Sequence, residues 1–326
     1  MENKMRALVS GITGQDGYYL AKFLLEQGYE IHGIVRRNSQ KTYGVWDGDE
    51  QGKKLIHFYY GDVTDKTSLD SIYREVKPNM VFHLAAQSFV QESWSNPEVT
   101  YDVNIKGTLN MLNSFREYTP EGKFYFACSS EIYGKVQDEI QSESSRMWPR
   151  SPYGISKLAA FWTCINYRES YNLFVCNGIL FNHESPFRGI EFVTRKISLA
   201  AAKIKLGLEN HLKLGNLDAK RDWGFSGDYV RAMYLMLQQD NPDDYVIATG
   251  ETHSVGEFAE AAFRSVGLDY RNYVTTDPKY IRPAEVQYLR GDASKARRIL
   301  GWEPKVKFNE LVKMMVEADL GRFSKR

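Results

Sequence analysis

The chain has 326 residues, 43% of them apolar and 13% aromatic, enough for a sizeable core in one main domain with a smaller lobe. Its 42 Lys and Arg against 41 Asp and Glu leave a formal charge of +1. No global field therefore draws it to nucleic acid or a membrane, and acidic ligands must be met by local arginines. Cys128, Cys164 and Cys176 have neither C-x-x-C spacing nor an even number, which argues against a disulfide framework and a zinc site, so no metal is expected.

A strand begins almost at once, with no charged leader, long apolar segment or cleavage site, the pattern expected of a cytoplasmic protein. Ala7-Leu8-Val9-Ser10 reads as a short buried strand. It runs into Gly11-Ile12-Thr13-Gly14-Gln15-Asp16-Gly17 and a helical pattern through Leu20, Phe23, Leu24 and Leu25. A G-x-x-G-x-x-G turn in that setting suits a dinucleotide. The first glycine permits a tight turn, the second lets backbone approach the pyrophosphate, and the third lets helix pack on strand, while the helix N-terminus supplies amide donors. Gly11, Thr13, Gly14, Gln15, Asp16 and Gly17 are thus candidate cofactor residues. An ordinary turn is the plain alternative, disfavoured by the strand before and the helix after.

The second strand, 30–35, ends in Arg36-Arg37-Asn38-Ser39, roughly twenty residues past the last glycine, where an acidic residue would hold a ribose diol. Arg36 there favours a 2′-phosphate, hence NADP over NAD. A third strand, 54–60, leads to Asp62 and Val63, suited to an adenine-side contact. A helix near 66–76, a strand over 80–84 and the turn Ala85-Ala86-Gln87-Ser88 follow. Leu84, Ala85 and Ala86 are candidate cofactor contacts and Ser88 a candidate substrate contact, because ligands bind at the carboxyl ends of strands in open α/β sheets. A long helix over about 97–118, a strand over 123–128, the helix of Tyr153 and a strand over 173–179 complete the pattern. The alternation predicts an α/β fold, a doubly wound parallel sheet of Rossmann type. From about 180 it fades. The expected division is a dinucleotide-binding domain over 1–180, receiving later segments at about 212–250, and a mainly substrate-binding lobe over 181–326.

Tyr153 and Lys157 stand four apart, neighbours on one helix face. The ammonium is expected to lower the phenol's pKa by favouring its ionised form, so that phenolate accepts a hydroxyl proton as hydride leaves the same carbon. Such a pair alone is most often a surface contact. Ser129 and Glu131, in Cys128-Ser129-Ser130-Glu131-Ile132-Tyr133-Gly134, change its weight, since a hydroxyl and a carboxylate at a strand end suggest a second proton transfer. Tyr133 has no lysine four residues on.

The glycine run, the Ser-x-Glu-x-Tyr-Gly strand end and the Tyr153/Lys157 helix resemble the extended short-chain dehydrogenase/reductases that act on nucleotide sugars. Within that group, Gly11-Ile12-Thr13-Gly14-Gln15-Asp16-Gly17, Asn182-His183-Glu184-Ser185-Pro186 and Leu214-Gly215-Asn216-Leu217-Asp218-Ala219-Lys220-Arg221-Asp222-Trp223-Gly224 resemble signatures of the GDP-mannose 4,6-dehydratases, along nearly the whole chain. Resembling 4-epimerases carry a small residue where Glu131 stands, and dTDP-glucose dehydratases carry Asp-Glu in place of Ser130-Glu131. Ser129 occupies the position of the family's catalytic threonine.

The resemblance implies conversion of GDP-mannose to GDP-4-keto-6-deoxymannose with NADP regenerated in each turnover, and makes the second lobe nucleotide-sugar-binding. Tyr153 would take the C4 hydroxyl proton. Glu131 would act as base at C5 and as acid toward the departing C6 hydroxyl. Ser129 would hydrogen-bond the C4 oxygen and Lys157 the nicotinamide ribose. Forked guanidinium groups fit a diphosphate, so Arg221 and Arg282 are candidate clamps. By resemblance Asn182 and Lys196 line the nucleotide-sugar site, Glu285 binds ribose or guanine-side groups, and His183 and Arg188 face the cofactor.

Two stretches depart from the family. Residues 40–52 do not match its longer arm, which helps assemble tetramers in the resembling enzymes, and Gln91-Glu92 stand where smaller residues usually lie by the sugar. A homo-oligomer, dimer or tetramer, is expected. The same chemistry on a related GDP-sugar such as a GDP-mannoheptose stays open. An epimerase or reductase is disfavoured by Glu131, and a non-catalytic dinucleotide sensor would not need Ser129, Glu131, Tyr153 and Lys157 together.

Overall fold

Strands buried on both faces read as continuous apolar runs and pair in parallel. In the computed structural model, which describes residues 4–38, 42–280, 284 and 286–324, those runs are β1 (Arg6–Ser10), β2 (Glu30–Val35), β3 (Ile56–Tyr60), β4 (Met80–His83), β5 (Lys123–Ser129) and β6 (Phe174–Leu180). Four short strands follow, β7 (Asn182–Glu184), β8 (Leu212–Leu214), β9 (Lys220–Arg221) and β10 (Trp223–Phe225). Then come β11 (Asp244–Ile247), β12 (His253–Ser254) and β13 (Val274–Thr276). The central sheet has the order β11-β6-β5-β4-β1-β2-β3 with every pair parallel. The chain reverses its direction of winding between β1 and β4, which opens a crevice at their carboxyl ends.

Helices α1 (Gln15–Glu26), α2 (Glu50–Lys53), α3 (Lys66–Val76), α4 (Val90–Ser95), α5 (Pro97–Tyr101), α6 (Gly107–Tyr118) and α7 (Pro152–Tyr171) accompany the first six strands. The later chain adds α8 (Val193–Lys205), α9 (Ser226–Met236), α10 (Val255–Ser265), α11 (Ser294–Leu300) and α12 (Phe308–Ser324). Successive strand residues point to opposite faces, and the two faces have separate cores. Leu8, Val81, Phe124 and Phe126 pack with Leu112 and Phe115 of α6 and Phe161 and Cys164 of α7. Val9, Ile31, Phe82 and Tyr125 pack with Leu20 and Leu24 of α1 and Met233 and Met236 of α9. A third core, with Ile197, Ala201, Phe258, Phe263, Leu311 and Met315, joins α8, α10 and α12. The later chain is therefore shared, with α9 and β11 on the central sheet and α8, α10 and α12 in the second lobe.

The expected helix over 97–118 runs as α5 and α6 joined by a π-helical turn, Asp102–Lys106. Cys128, Cys164 and Cys176 are free and buried. Among the described residues no helix is long and apolar enough to cross a membrane, and no cluster of His, Cys, Asp or Glu could hold a metal ion.

Candidate active site

A cavity of about 1270 Å³ lies over the crevice, larger than the roughly 300–1,000 Å³ that suits one small ligand, so it has room for two. Its walls include Gly11, Thr13, Gly14, Gln15, Asp16 and Gly17, then Arg36, Asp62, Val63, Leu84, Ala85, Ala86 and Ser88. Ser129, Glu131, Tyr153, Lys157, Asn182, His183, Arg188, Lys196 and Arg221 line it as well. Arg282 and Glu285 lie outside the described residues.

The glycine turn is close-packed where a dinucleotide would need it so. Gly11 has φ +76°, and a Cβ there would stand 2.7 Å from the Ala85 nitrogen; one on Gly17 would stand 2.4 Å from Ile12 Cα. A Cβ on Gly14 would meet only the Gly11 oxygen, at 3.5 Å, and the residue lines the cavity. No side chain among the described residues caps α1, which leaves its first amides available to an anion.

Gln15 and Asp16 use their side chains inside the protein. Gln15 Nε2 donates to the His183 carbonyl at 2.9 Å and its Oε1 accepts the Ser185 hydroxyl at 2.8 Å. Asp16 pairs with His183 Nε2 at 2.8 Å and accepts the Ser226 hydroxyl at 2.6 Å. Burial opposes the charge on each, yet the pairing outweighs it, holding the Asp16 carboxyl below and His183 above their usual values. The pair braces α1 against β7. Arg188 lies 3.1 Å from the buried Glu184 carboxylate, its guanidinium stacked 3.6 Å over the Phe192 ring.

The four candidate catalytic groups meet where β5 and α7 converge. Ser129 Oγ accepts the Glu131 N–H at 3.3 Å, starting a short 3₁₀ turn, Ser130–Ile132, that carries Glu131 to the wall, 7% exposed. Ser151 caps α7 by accepting the Gly154 N–H at 3.0 Å, with Pro152 at the first helical position, both favoured ways to begin a helix. That start fixes Tyr153 and Lys157 in the first turns. Gly154 admits the close approach, since a Cβ would stand 2.7 Å from the Glu131 carbonyl oxygen.

The expected electrostatics of the pair are reversed. Burial pushes the Tyr153 phenol above its usual range, and a hydrogen bond with Ser129 offsets only part of that. Lys157 donates to the Ala127 carbonyl at 2.8 Å and sits 6.0 Å from the Tyr153 ring centroid. Burial brings its own pKa down to about 8. Helical spacing made the two neighbours, but desolvation of the phenol exceeds the lowering by the Ser129 hydrogen bond and the Arg188 charge. Tyr133 donates to the Ser142 carbonyl at 2.8 Å, in the hydrophobic core rather than the cavity wall.

One polar group beside this site escaped the sequence reading. Asn104, in the π turn, accepts from the Gln87 N–H at 2.9 Å and donates to the Gln87 carbonyl at 3.1 Å and to Ser156 Oγ at 2.9 Å. It thereby joins the crevice turn after β4 to the tyrosine helix, and the extra residue of a π turn is what re-aims it. Thr108, one turn on, donates to the Asn104 carbonyl at 2.7 Å. With its proton so used, Thr108 accepts Nε2–H of His83 at 3.0 Å, and His83 Nδ1 accepts from Ser10 at 2.7 Å. The available signal was Asn104 and Thr108, polar residues four apart at the head of the apolar stripe of Met111, Leu112 and Phe115.

On the substrate side, Asn182 Oδ1 is buried with no hydrogen-bond partner among the described residues. Lys196 lies 5.4 Å from the Tyr280 ring, and the buried Arg221 donates to the Lys220 carbonyl at 2.9 Å. Gln91 reaches the wall, whereas Glu92 is exposed and accepts from Asn96. Lys213, Asn216, Lys279 and Arg322 also line the cavity; Asn216 falls within the 214–224 signature, and no motif marked the other three.

Sheet, glycine turn and Tyr-Lys helix define a Rossmann-type enzyme of the short-chain dehydrogenase/reductase kind. The UDP-glucose 4-epimerase of Thermus thermophilus, solved with NAD, is similar with a TM-score of 0.84 and 28% identity over 97% of this chain and 99% of that one. The UDP-glucose 4-epimerase of Thermotoga maritima, solved with UDP-glucose, gives 0.86 and 27% over 99% and 100%. The chain belongs to the GDP-mannose 4,6-dehydratase family, whose match spans residues 8–315. Among its relatives, GDP-mannose 4,6 dehydratase 2 of Arabidopsis thaliana is 52% identical over 98% of this chain and 88% of its own length. The Homo sapiens enzyme is 51% identical over 96% and 91%, and the Vibrio cholerae enzyme 46% over 97% and 94%.

Proposed function

We propose that the protein eliminates water from GDP-mannose to give GDP-4-keto-6-deoxymannose, using an NADP that ends each turnover as it began. The observation that carries this reading is the meeting of two proton-transfer groups, Tyr153 and Glu131, in one cavity of a chain with this family membership. The glycine turn fits a dinucleotide, because Gly11 and Gly17 fill spaces no Cβ could share while Gly14 opens to the cavity. Arg36 at the end of β2 suits a 2′-phosphate, and Lys157 a nicotinamide ribose. The bound dinucleotide supplies a hydride acceptor for C4, a ring charge that favours phenolate, and the hydride returned to C6.

Tyr153, aided by the Ser129 hydroxyl, takes the proton from the C4 oxygen as that carbon becomes a ketone. The ketone acidifies the C5 hydrogen, which Glu131 removes as a proton. Glu131 then gives its proton to the C6 hydroxyl, which leaves as water, and the proton held by Tyr153 passes to C5 as hydride returns to C6, which restores both side chains. Asn182, Lys196 and Arg221 hold the nucleotide sugar, with the forked Arg221 suited to the diphosphate. Arg282 and Glu285 belong to the same proposal. The protein works in the cytoplasm and as a homo-oligomer, the association being supported by Ile155 and Trp162 of α7, 45% and 56% exposed.

Purified protein incubated with GDP-mannose and no added reductant tests this. The sugar is expected to lose about 18 mass units with no net change in nicotinamide absorbance, the signature of a recycled cofactor. Net cofactor consumption would indicate a reductase, and an unchanged mass an epimerase.

A further inference from the structure

Residues 42–53 fold back over the outside of the glycine turn. Trp46 is fully buried, and its Nε1 donates to the Ile12 carbonyl at 2.8 Å. The Val45 N–H donates to the Thr13 carbonyl at 3.3 Å. Gly44, at φ +62°, comes so near that a Cβ would stand 2.4 Å from the Thr13 oxygen. Asp49 fastens the far end to α1, accepting from Tyr18 Oη at 3.0 Å and Lys22 Nζ at 3.1 Å, and from the Gly52 N–H at 2.8 Å. The Tyr18 ring packs on Trp46 with centroids 4.7 Å apart. The segment is a clip, joined to the turn at one end and to the first helix at the other.

A trans peptide points its C=O and N–H in opposite directions. Holding the Ile12 oxygen on Trp46 therefore turns the Thr13 N–H away from the clip, and Thr13 lies at the cavity wall while Ile12 is fully buried. Gly44 and Val45 extend that wall beside Arg36. A turn fixed in advance loses less conformational freedom when an anion binds it.

We infer that Trp46, Gly44 and Asp49 are positioning residues that hold the turn's amides ready for a dinucleotide pyrophosphate. The inference rests on the dinucleotide reading above. Trp46 and Asp49 lie behind the turn and Gly44 borders the cavity where it meets Thr13, so the three set cofactor affinity and leave the chemical steps unaltered.

Trp46→Phe keeps a buried ring and removes one donor, and Gly44→Ala drives a methyl toward the Thr13 oxygen. Wild type and both variants, stripped of nucleotide, would be titrated calorimetrically with NADP and NAD. Alongside, kcat on GDP-mannose at saturating cofactor and Tm would be measured. Trp46→Phe is expected to weaken dinucleotide binding about five-fold, the worth of one hydrogen bond, with kcat unchanged, and Gly44→Ala to weaken binding further. Lower Tm with unaltered dinucleotide affinity in both folded variants would overturn the inference alone. Wild-type protein that binds neither dinucleotide would overturn the dinucleotide reading, and the clip's role with it.

Discussion

In the proposed reaction Glu131 and Tyr153 divide the proton traffic, and they arrive from different elements, one from the end of β5 and one from the start of α7. Both were legible in the sequence, since a strand end and an i, i+4 pair are local patterns. Their electrostatics were not. Spacing states which side chains are neighbours, whereas the phenol's pKa depends on water excluded by residues distant in sequence, and burial reverses the expected shift. The ion pair of Asp16 was not legible for the same reason, for its partner His183 lies 167 residues away. Replacing Glu131 by Gln keeps size and hydrogen bonding while removing the base. The variant is expected to turn over about 10²–10⁴-fold more slowly with dinucleotide affinity unchanged. Steady-state rates beside a binding titration would show it, and wild-type turnover would remove Glu131 from the mechanism.

At the scale of elements, the strand-turn-helix at the N-terminus shows why some of the fold could be read directly. Its glycines have backbone, not flexible side chains, for neighbours. A Cβ on Gly17 would meet Ile12 Cα at 2.4 Å and the Gly11 oxygen at 2.5 Å, so neither can yield without shifting the turn. Gly17→Ala is expected to lose detectable dinucleotide binding and to lower Tm. Gly28→Ala, strained at φ +84° but with nothing within 4 Å, should lower Tm and bind normally. Equal binding by the two variants would contradict the close-packing argument. The π turn within the long helix was not legible, because a regular 3.6-residue pattern contains no mark of one inserted residue. Only the buried Asn104 betrays it.

For the whole molecule, legibility falls where the chain leaves the central sheet. Strands β7 to β10, β12 and β13 have two or three residues each, too few to show a period. The second lobe also depends on contacts across great sequence distance. Arg322 of α12 donates to the Pro186 carbonyl at 2.7 Å, and the buried Asp319 pairs with Arg195 of α8. Stability should carry the mark of a histidine between sheet and helix. Burial brings the His83 pKa down to about 3 from 6.5. The unfolded chain takes up a proton below pH 6.5 that the folded one refuses. The stability of neutral His83 is thus full above 6.5 and falls by roughly 1 kcal/mol per pH unit below it. His183, raised by Asp16, contributes with the opposite sign, so a variant is needed to isolate the slope. Denaturant unfolding between pH 7 and pH 4.5 should show a shallower decline for His83→Gln than for wild type, and parallel declines would refute the assignment.

The proposed elimination with a recycled dinucleotide requires that the hydrogen leaving C4 as hydride return to the same sugar at C6. GDP-mannose deuterated at C4, converted in ordinary water and analysed by NMR, tests this directly. Deuterium at C6 of the 4-keto-6-deoxy product is the expected result. Deuterium still at C4, or lost to water, would contradict it.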